Sequence, residues 1–566
     1  MRSIQESVLP ETMEKLQAAR SLANRPRSER FVPWQSIGQL LDERAAEAPH
    51  RPFLAFHDEQ GRAGAWTRQQ FVQETARAAA WLSDELGIGP GDRVATLMAN
   101  DPRTVFLYFA AWTLGATVVP VNCGEDDERV AYILRNAEAR AALVHEDQLV
   151  RAESLRTGAP VEDWIQAGGA PRNGFAHWGD VSRHHPAPLT SASPTLDTEC
   201  LIVYTSGTTG PPKGVALDQY DLLADAWSIA DWHQFGPDDR AMCVLPIHHV
   251  NGTVVTLMTP MVSGGSVVLS RRFSAQRFWR VLAEEQCSWV SVVPTVLAFL
   301  CERGEDLAPL DLSRFRHFIC GAGPLTVELA RRFEEMFRKR IVHGYGLSET
   351  TCYSCFLPVG LPPHEHRRWM TAHGFPSIGC PLPVNEMAIQ DPQGRDLPPG
   401  ERGEIVIRGH NVMMHYFRRP EANRDAFAHG WFRSGDEGFY LRGEDGRRYF
   451  FITSRLKELI IRGGVNYSPF EIDEVLNRIP GVRAAMAIGF EHSLYGEEIG
   501  AYVQREEGST LTEEDVLAAC RAALPFAKRP KVVVFGEEFP VTSTGKYQRN
   551  RLKPLFERWR DTRFRE

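Results

Sequence analysis

The sequence predicts an α/β protein. A large N-terminal domain of parallel α/β sheets with a small β subdomain should be followed by a small α+β C-terminal domain. Three observations carry this expectation. Strand-like apolar runs alternate with helical patterns from about residue 34 to 190, and the alternation resumes through 266–320, as in a parallel sheet with crossover helices. After Gly379 the character changes to short alternating strands divided by Gly and Pro. From Lys457 onward a compact segment carries strands and helices of its own, enough for a small domain. A chain of 566 residues also exceeds what one hydrophobic core usually organises. The expected division is therefore 1–456, with the β subdomain at about 380–456, and 457–566.

The elements follow in order. Phe71 to Leu86 is Ala-rich with helical spacing, and Arg93 to Met98 is a short apolar strand after a Gly-Pro-Gly-Asp turn. Ala141 to His145 is another strand. Asn173 to Thr198, rich in Pro, Ser and His, lacks periodicity and reads as a surface connection. Ser266–Leu269, Trp289–Val293 and His317–Cys320 are further strands, and Gly403–Gly409 belongs to the β subdomain. Near Pro469 to Ile479 apolar residues recur at helical spacing up to Pro480.

Composition narrows the function. A net charge of −8 argues against a general nucleic-acid binder. The N-terminus lacks the apolar core of a signal peptide. Two uncharged stretches, Thr104–Gly124 and Ala241–Ser270, are broken by Gly and Pro, whereas a spanning helix needs about 20 continuous apolar residues. Both read as buried core, so no integral membrane segment is expected. The ten scattered cysteines fit reduced thiols in a cytoplasm, and the Cys352-x-x-Cys355 pair has no second pair with which to build a metal site.

The most informative stretch is Tyr204-Thr-Ser-Gly-Thr-Thr-Gly-Pro-Pro-Lys-Gly-Val215. After an apolar strand it offers the hydroxyls of Thr205, Ser206, Thr208 and Thr209, glycines including Gly207, and the cation Lys213. Glycines let a backbone approach a ligand and point successive N–H groups at it, which suits a polyphosphate. It is not a P-loop, because Gly214 follows Lys213 where Ser or Thr should ligate Mg²⁺.

Five further segments combine with it: Val244–Gly252 with adjacent histidines, Tyr345-Gly-Leu-Ser-Glu-Thr350, Trp431–Gly438 around Asp436, the basic and then Gly-rich Ser454–Gly464, and Val541–Arg549 around Lys546. Each alone has an ordinary explanation: an Asx turn, a solvated lysine, a core histidine. Their order along the chain does not.

In that order the sequence resembles the adenylate-forming superfamily of acyl-CoA synthetases, adenylation domains and beetle luciferases, over nearly its whole length. The resemblance implies an enzyme whose large domain holds nucleotide and acid, and whose C-terminal domain rotates about a hinge at Lys457. It also implies that the 204–215 loop closes over the β- and γ-phosphates of ATP. Tyr345 would stack on adenine beside Gly321 and Ala322, and Glu349 would hold Mg²⁺. Thr350 would reach the α-phosphate, Asp436 would accept the ribose hydroxyls with Arg455 assisting, and Lys546 would approach the α-phosphate and the acid carboxylate. Gly463 and Gly464 would let the pantetheine arm of coenzyme A pass. His249 matches the histidine at the mouth of the acyl pocket, and His248 stands where many members have an aromatic residue. Asn251, Gly321, Gly323 and Gly346 fall on the acid pocket, the glycines implying room for a chain or ring. No Asp appears between Val244 and Gly252, where amino-acid-activating relatives place one.

The resemblance thus implies a cytoplasmic ATP-dependent carboxylic acid–CoA ligase, an acid–thiol ligase forming AMP, monomeric or dimeric. The alternatives are an enzyme loading a carrier protein, a member specialised for one half-reaction, and a non-catalytic nucleotide-binding relative. No fused carrier motif is present, and Lys546, Glu349 and Asp436 are intact.

Overall fold

The computed structural model describes residues 6–189, 194–205, 211–542 and 547–564. Among these, the chain forms two large mixed sheets, a small antiparallel sheet and a separate C-terminal sheet.

The first large sheet runs, in spatial order, through His415–Tyr416, Lys213–Asp218, Glu199–Thr205, Thr117–Val121, Arg93–Leu97, Ala141–Val144, Asp163–Gln166 and Ala176–His177. The second runs from Cys380–Pro381 through Cys355–Phe356, Ile341–Tyr345, His317–Cys320, Trp289–Val292, Arg240–Cys243 and Ser266–Ser270 to Pro52–His57 and Arg62–Thr67. Their central pairings are parallel, as the alternating pattern predicts. The edges are antiparallel where the chain turns back directly, as at Glu199–Thr205 with Lys213–Asp218.

Helices join the layers. The Ala-rich helix Arg68–Asp84 starts at a capping box in which Thr67 and Gln70 satisfy each other's backbone N–H groups. Pro102–Thr113 has every residue buried except Arg103, and Trp112 donates from its ring to the Cys200 carbonyl at 2.8 Å. A helix apolar all round belongs inside a large core rather than on its surface. That explains why Thr104–Gly124 lacks charge. The other uncharged stretch folds into the wide helical turn Asn251–Met258, which continues directly into Thr259–Ser263 with Pro260 in its first turn. No helix among the described residues is long and apolar enough to cross a membrane.

The small antiparallel sheet orders Asn385–Gln390, Gly403–Gly409, Phe432–Arg442 and Arg448–Arg455. The C-terminal sheet pairs Val482–His492 with Gly496–Arg505 and packs helices Pro469–Leu476 and Glu513–Ala523 over a core of its own, including Ile472, Leu476, Val503 and Val516. Leu456–Glu458 links it to the rest, and Lys457 is exposed there. Several contacts seat this unit on the rest of the chain, two of them on the main body's helices. Glu474 accepts from the Val327 N–H at 2.9 Å, and Arg483 pairs with Glu302 at 2.6 Å. The Val327 N–H opens helix Val327–Phe337, so the Glu474 carboxyl occupies the positive end of that helix.

The N-terminal segment straps the body from outside. Arg20 and Arg27 reach the buried pair Asp218 and Asp221, with Arg27 at 2.7 Å from both carboxylates. His410 is pinned from the same side, its ring bonded to the Tyr220 hydroxyl at 2.8 Å and the Arg25 carbonyl at 3.1 Å. Two like charges this deep are tolerated only because the guanidinium groups saturate them.

Candidate active site

One cavity of about 1800 Å³ lies where the main body, the small antiparallel sheet and the C-terminal unit meet. Its wall includes Thr205, Lys213, His248, His249, Ala322, Gly323, Tyr345, Gly346, Glu349, Asp436, Arg455 and Lys457, residues that lie far apart along the sequence. Val541, Thr542, Tyr547 and Arg549 close the far side. Lys546 itself lies outside the described residues, as do Ser206, Gly207, Thr208 and Thr209.

Strand ends supply most of these groups. Tyr345 closes the strand Ile341–Tyr345, and its hydroxyl donates to Asp436 Oδ2 at 2.6 Å. Asp436 stands directly across from Arg455 in the antiparallel sheet, with Arg455 Nε 3.4 Å from Oδ1. The neighbouring carboxylate holds the Arg455 guanidinium firmly charged, and burial together with the same carboxylate pushes the Tyr345 phenol up. Ser434 braces the turn: its hydroxyl donates to the Ile405 carbonyl at 2.6 Å and accepts from the Asp436 N–H at 3.0 Å. Gly435, at φ 73°, takes a conformation that L side chains resist.

Glu349 sits at the seam of the two large sheets. Its side chain accepts from the Tyr416 hydroxyl at 2.7 Å, and its carbonyl accepts from the Met413 N–H at 2.9 Å. Lys213 Nζ lies 4.6 Å from the Tyr416 ring centroid. Burial lowers the Lys213 pKa, opposed by the charge of Glu349. Tyr416 therefore joins the cation to the carboxylate. Nothing in the sequence around Met414-His-Tyr-Phe417 singles it out, because it acts only through a strand pairing, His415–Tyr416 with Val215–Ala216.

A single carboxylate beside an incoming polyphosphate suits Mg²⁺, which keeps several waters and is bound through one or two carboxylates plus substrate phosphates. Among the described residues no cluster of three or more His, Cys, Asp or Glu forms an all-protein metal cage.

The histidines lie between the strand Arg240–Cys243 and the wide turn Asn251–Met258, their rings 4.6 Å apart. Burial pushes His248 down to about 4, and its Nε2 is buried without a hydrogen-bond partner. Ala322 has φ 65°, a left-handed backbone held by a non-glycine residue on the cavity wall.

The structure sets several expected residues away from the cavity. The Thr350 hydroxyl is buried inside its own turn, accepting from the Leu347 N–H at 3.1 Å and the Ser354 hydroxyl at 2.9 Å. Gly463 and Gly464 form an exposed two-residue hairpin turn with φ 60° and 80°. That gives them a local reason to be glycine, since consecutive positive φ values define the favoured hairpin turn.

Gly321 and Asn251 stand behind the wall. Close neighbours account for the missing side chains at Gly321 and Gly346. A β-carbon at Gly321 would lie 2.6 Å from the Tyr353 hydroxyl, and one at Gly346 would collide with the Cys352 carbonyl. At Gly323 a β-carbon would make only ordinary contact, with Pro294 Cδ at 3.5 Å. The first two glycines are small because neighbouring residues already fill the space.

A carboxylate, a lysine, an Asp–Arg pair and two histidines line one cavity between a doubly layered α/β body and a small separate unit. Comparison with known proteins gives the class. Residues 41–417 match the AMP-binding enzyme model, and residues 471–546 match the AMP-binding enzyme C-terminal domain. The chain belongs to the AMP-binding enzyme family. It is 35% identical to the sulfoacetate–CoA ligase of Cupriavidus necator, covering 92% of this chain and 97% of that one. It is 31% identical to the oxalate–CoA ligase of Arabidopsis thaliana, over 84% and 90% of the two chains. Among solved structures, ATP-bound MatB from Rhodopseudomonas palustris superposes with a TM-score of 0.80 at 26% identity, covering 92% of this chain and 99% of that one. The chain is an acid–thiol ligase that joins a carboxylic acid to CoA by way of an acyl adenylate, with ATP and Mg²⁺.

Proposed function

We propose that the cavity carries both half-reactions, with the roles divided as follows. The observation behind this reading is the convergence of Lys213, Glu349, Asp436 and both ends of the Lys546 segment on one cavity. Asp436 accepts the ribose hydroxyls, with Arg455 paired to it. Tyr345 covers adenine. Glu349 would hold Mg²⁺, which when bound would screen the phosphate charges. Lys213 and the hydroxyls of Thr205, Ser206, Thr208 and Thr209 grip the β- and γ-phosphates. His249 stands at the mouth of the acid pocket.

The acid carboxylate oxygen attacks the α-phosphorus, forming an O–P bond as the bond to the β-phosphate oxygen breaks and pyrophosphate leaves. No proton is transferred, so the requirement is positive charge aimed at the developing negative charge, which Lys546 provides. Rotation of 457–566 about Lys457 then withdraws Lys546 and brings Gly463 and Gly464 to the site. The CoA thiolate attacks the acyl carbon, a C–S bond forms, and AMP leaves. One site thus serves two steps in turn. CoA, not a carrier protein, is the acceptor, and the enzyme works in the cytoplasm.

The test is pyrophosphate exchange dependent on an organic acid, followed by thioester formation with CoA or with a carrier protein. Exchange with a thioester formed only on the carrier would reassign the acceptor. No exchange across a broad acid panel would remove the ligase reading.

A further inference from the structure

Tyr416 faces the cavity with its side chain and the N-terminal strap with its backbone. Its hydroxyl donates to Glu349 at 2.7 Å, and its ring centroid lies 4.6 Å from Lys213 Nζ. Burial and the Glu349 charge push the phenol up, so it stays a donor. One side chain thus touches both groups assigned above to the polyphosphate end of ATP.

His415–Tyr416 is only a two-residue strand at the edge of its sheet, so its position depends on bracing from outside the ladder. Asn423 supplies the brace. Its Oδ1 accepts from the Tyr416 N–H at 2.7 Å, and its Nδ2 donates to the Tyr416 carbonyl at 2.8 Å. The same Nδ2 donates to the Ser7 carbonyl at 2.8 Å, and the Ser7 hydroxyl accepts from the Arg418 N–H at 2.8 Å. Ser7 and Asn423 are fully buried. Further along the strap, Arg20 Nε donates to the Val412 carbonyl at 3.1 Å, beside the Met413 N–H that bonds the Glu349 carbonyl. The strap therefore clamps both ends of 412–418. Such a clamp is stiff, because each bond lost in the interior leaves a polar group unsatisfied.

We propose that Tyr416 is a positioning residue for the triphosphate of ATP, and that the N-terminal strap sets it through Ser7 and Asn423. The inference rests on the division of roles proposed above and goes beyond it. Tyr416 turns the Glu349 carboxylate to the place where Mg²⁺ would bind, and its ring face keeps the Lys213 ammonium beside that place. The nucleoside end falls to Asp436, Arg455 and Tyr345, which belong to other strands. The two ends of the nucleotide therefore report on different parts of the fold.

The experiment measures binding of ATP and of AMP to the full chain by titration calorimetry, with Mg²⁺ present and no acid. AMP keeps the nucleoside end and lacks the β- and γ-phosphates. Tyr416→Phe removes the hydroxyl and keeps the ring. It should raise the Kd for ATP about 5- to 50-fold while that for AMP changes less than about twofold. Asn423→Ala should show the same split. The two changes together should cost no more than the larger one alone, to within about twofold, because both act through one side chain. If Asn423→Ala fails to fold, Ser7→Ala, which removes only the bond to Arg418, should give the split at about 2- to 5-fold.

Equal weakening of ATP and AMP in Tyr416→Phe would mean general damage and overturns the proposal, as does no change in either. Losses that add fully in the double variant, or wild-type binding of ATP by the strap variants, overturn the part given to the strap. All of these leave the assigned roles of Glu349 and Lys213 standing. A wild type that binds AMP and ATP equally well overturns those roles too.

Discussion

The Tyr345 hydroxyl donates to Asp436 Oδ2 at 2.6 Å, across the seam between the second large sheet and the small antiparallel sheet. This bond fixes the orientation of the carboxylate proposed to accept the ribose hydroxyls. The other oxygen faces Arg455 at 3.4 Å, so Asp436 is held from two sides.

Asp436→Ala should raise KM for ATP about 10- to 100-fold, since a hydrogen bond to a charged group contributes about 1.5–3 kcal/mol. Tyr345→Phe, which removes only the orienting bond, should raise it about 2- to 10-fold with kcat less affected. Steady-state kinetics in ATP separate the two. An unchanged KM in Asp436→Ala would remove that residue from the ribose site.

Lys546→Ala should depress adenylation by about 100- to 1000-fold, the scale for losing one preorganised electrostatic contact. Thioester formation from supplied acyl-AMP should change far less. Equal loss of both steps would contradict the rotation of the C-terminal unit.

The strap predicts a stability effect remote from chemistry. Arg27→Ala leaves Asp218 and Asp221 underpaired in the interior and should cost about 3–5 kcal/mol. Thermal unfolding should begin at lower temperature. Adding Asp221→Asn should restore part of the loss, because it removes one of the buried like charges. A double variant no better than the single would mean that the guanidinium stabilises the strap by packing alone.

Acid should destabilise the fold earlier than carboxylate titration would. Burial pushes His343 down to about 4 and His415 down to about 3. In the unfolded chain both return to about 6.5. The unfolded state therefore binds more protons between these values. The stability that neutral histidines confer is complete above about pH 6.5 and is lost as pH falls toward 4, by about 1.4 kcal/mol per pH unit for each. Unfolding temperature measured over pH 4–7 should show this slope, and His415→Leu should flatten it.

Much of the fold was legible. The predicted strands Arg93–Met98, Ala141–His145 and His317–Cys320 appear within a residue of their expected ends, because buried parallel strands are written as continuous apolar runs. The helix near 469–479 is shorter, stopping at Leu476, since its last apolar residues belong to the turn before Val482. The wide turn Asn251–Met258 has no signature in its sequence. It exists because Gly252 must pack against the Pro246 carbonyl, a contact within the tertiary fold.

The candidate site divides the same way. The sequence by itself determined the family and the ATP-dependent chemistry, because several short segments follow one another in an order that no ordinary explanation covers, and it singled out Lys213, Glu349 and Asp436, which the fold brings to one cavity. Only the tertiary structure decided that Tyr416 bridges Lys213 to Glu349, that Arg20 and Arg27 neutralise Asp218 and Asp221, and that Tyr353 occupies the space Gly321 vacates. The reason is distance along the chain. A motif records what neighbouring residues offer a ligand, whereas the volume and charge left over in a pocket are set by side chains that arrive from other strands.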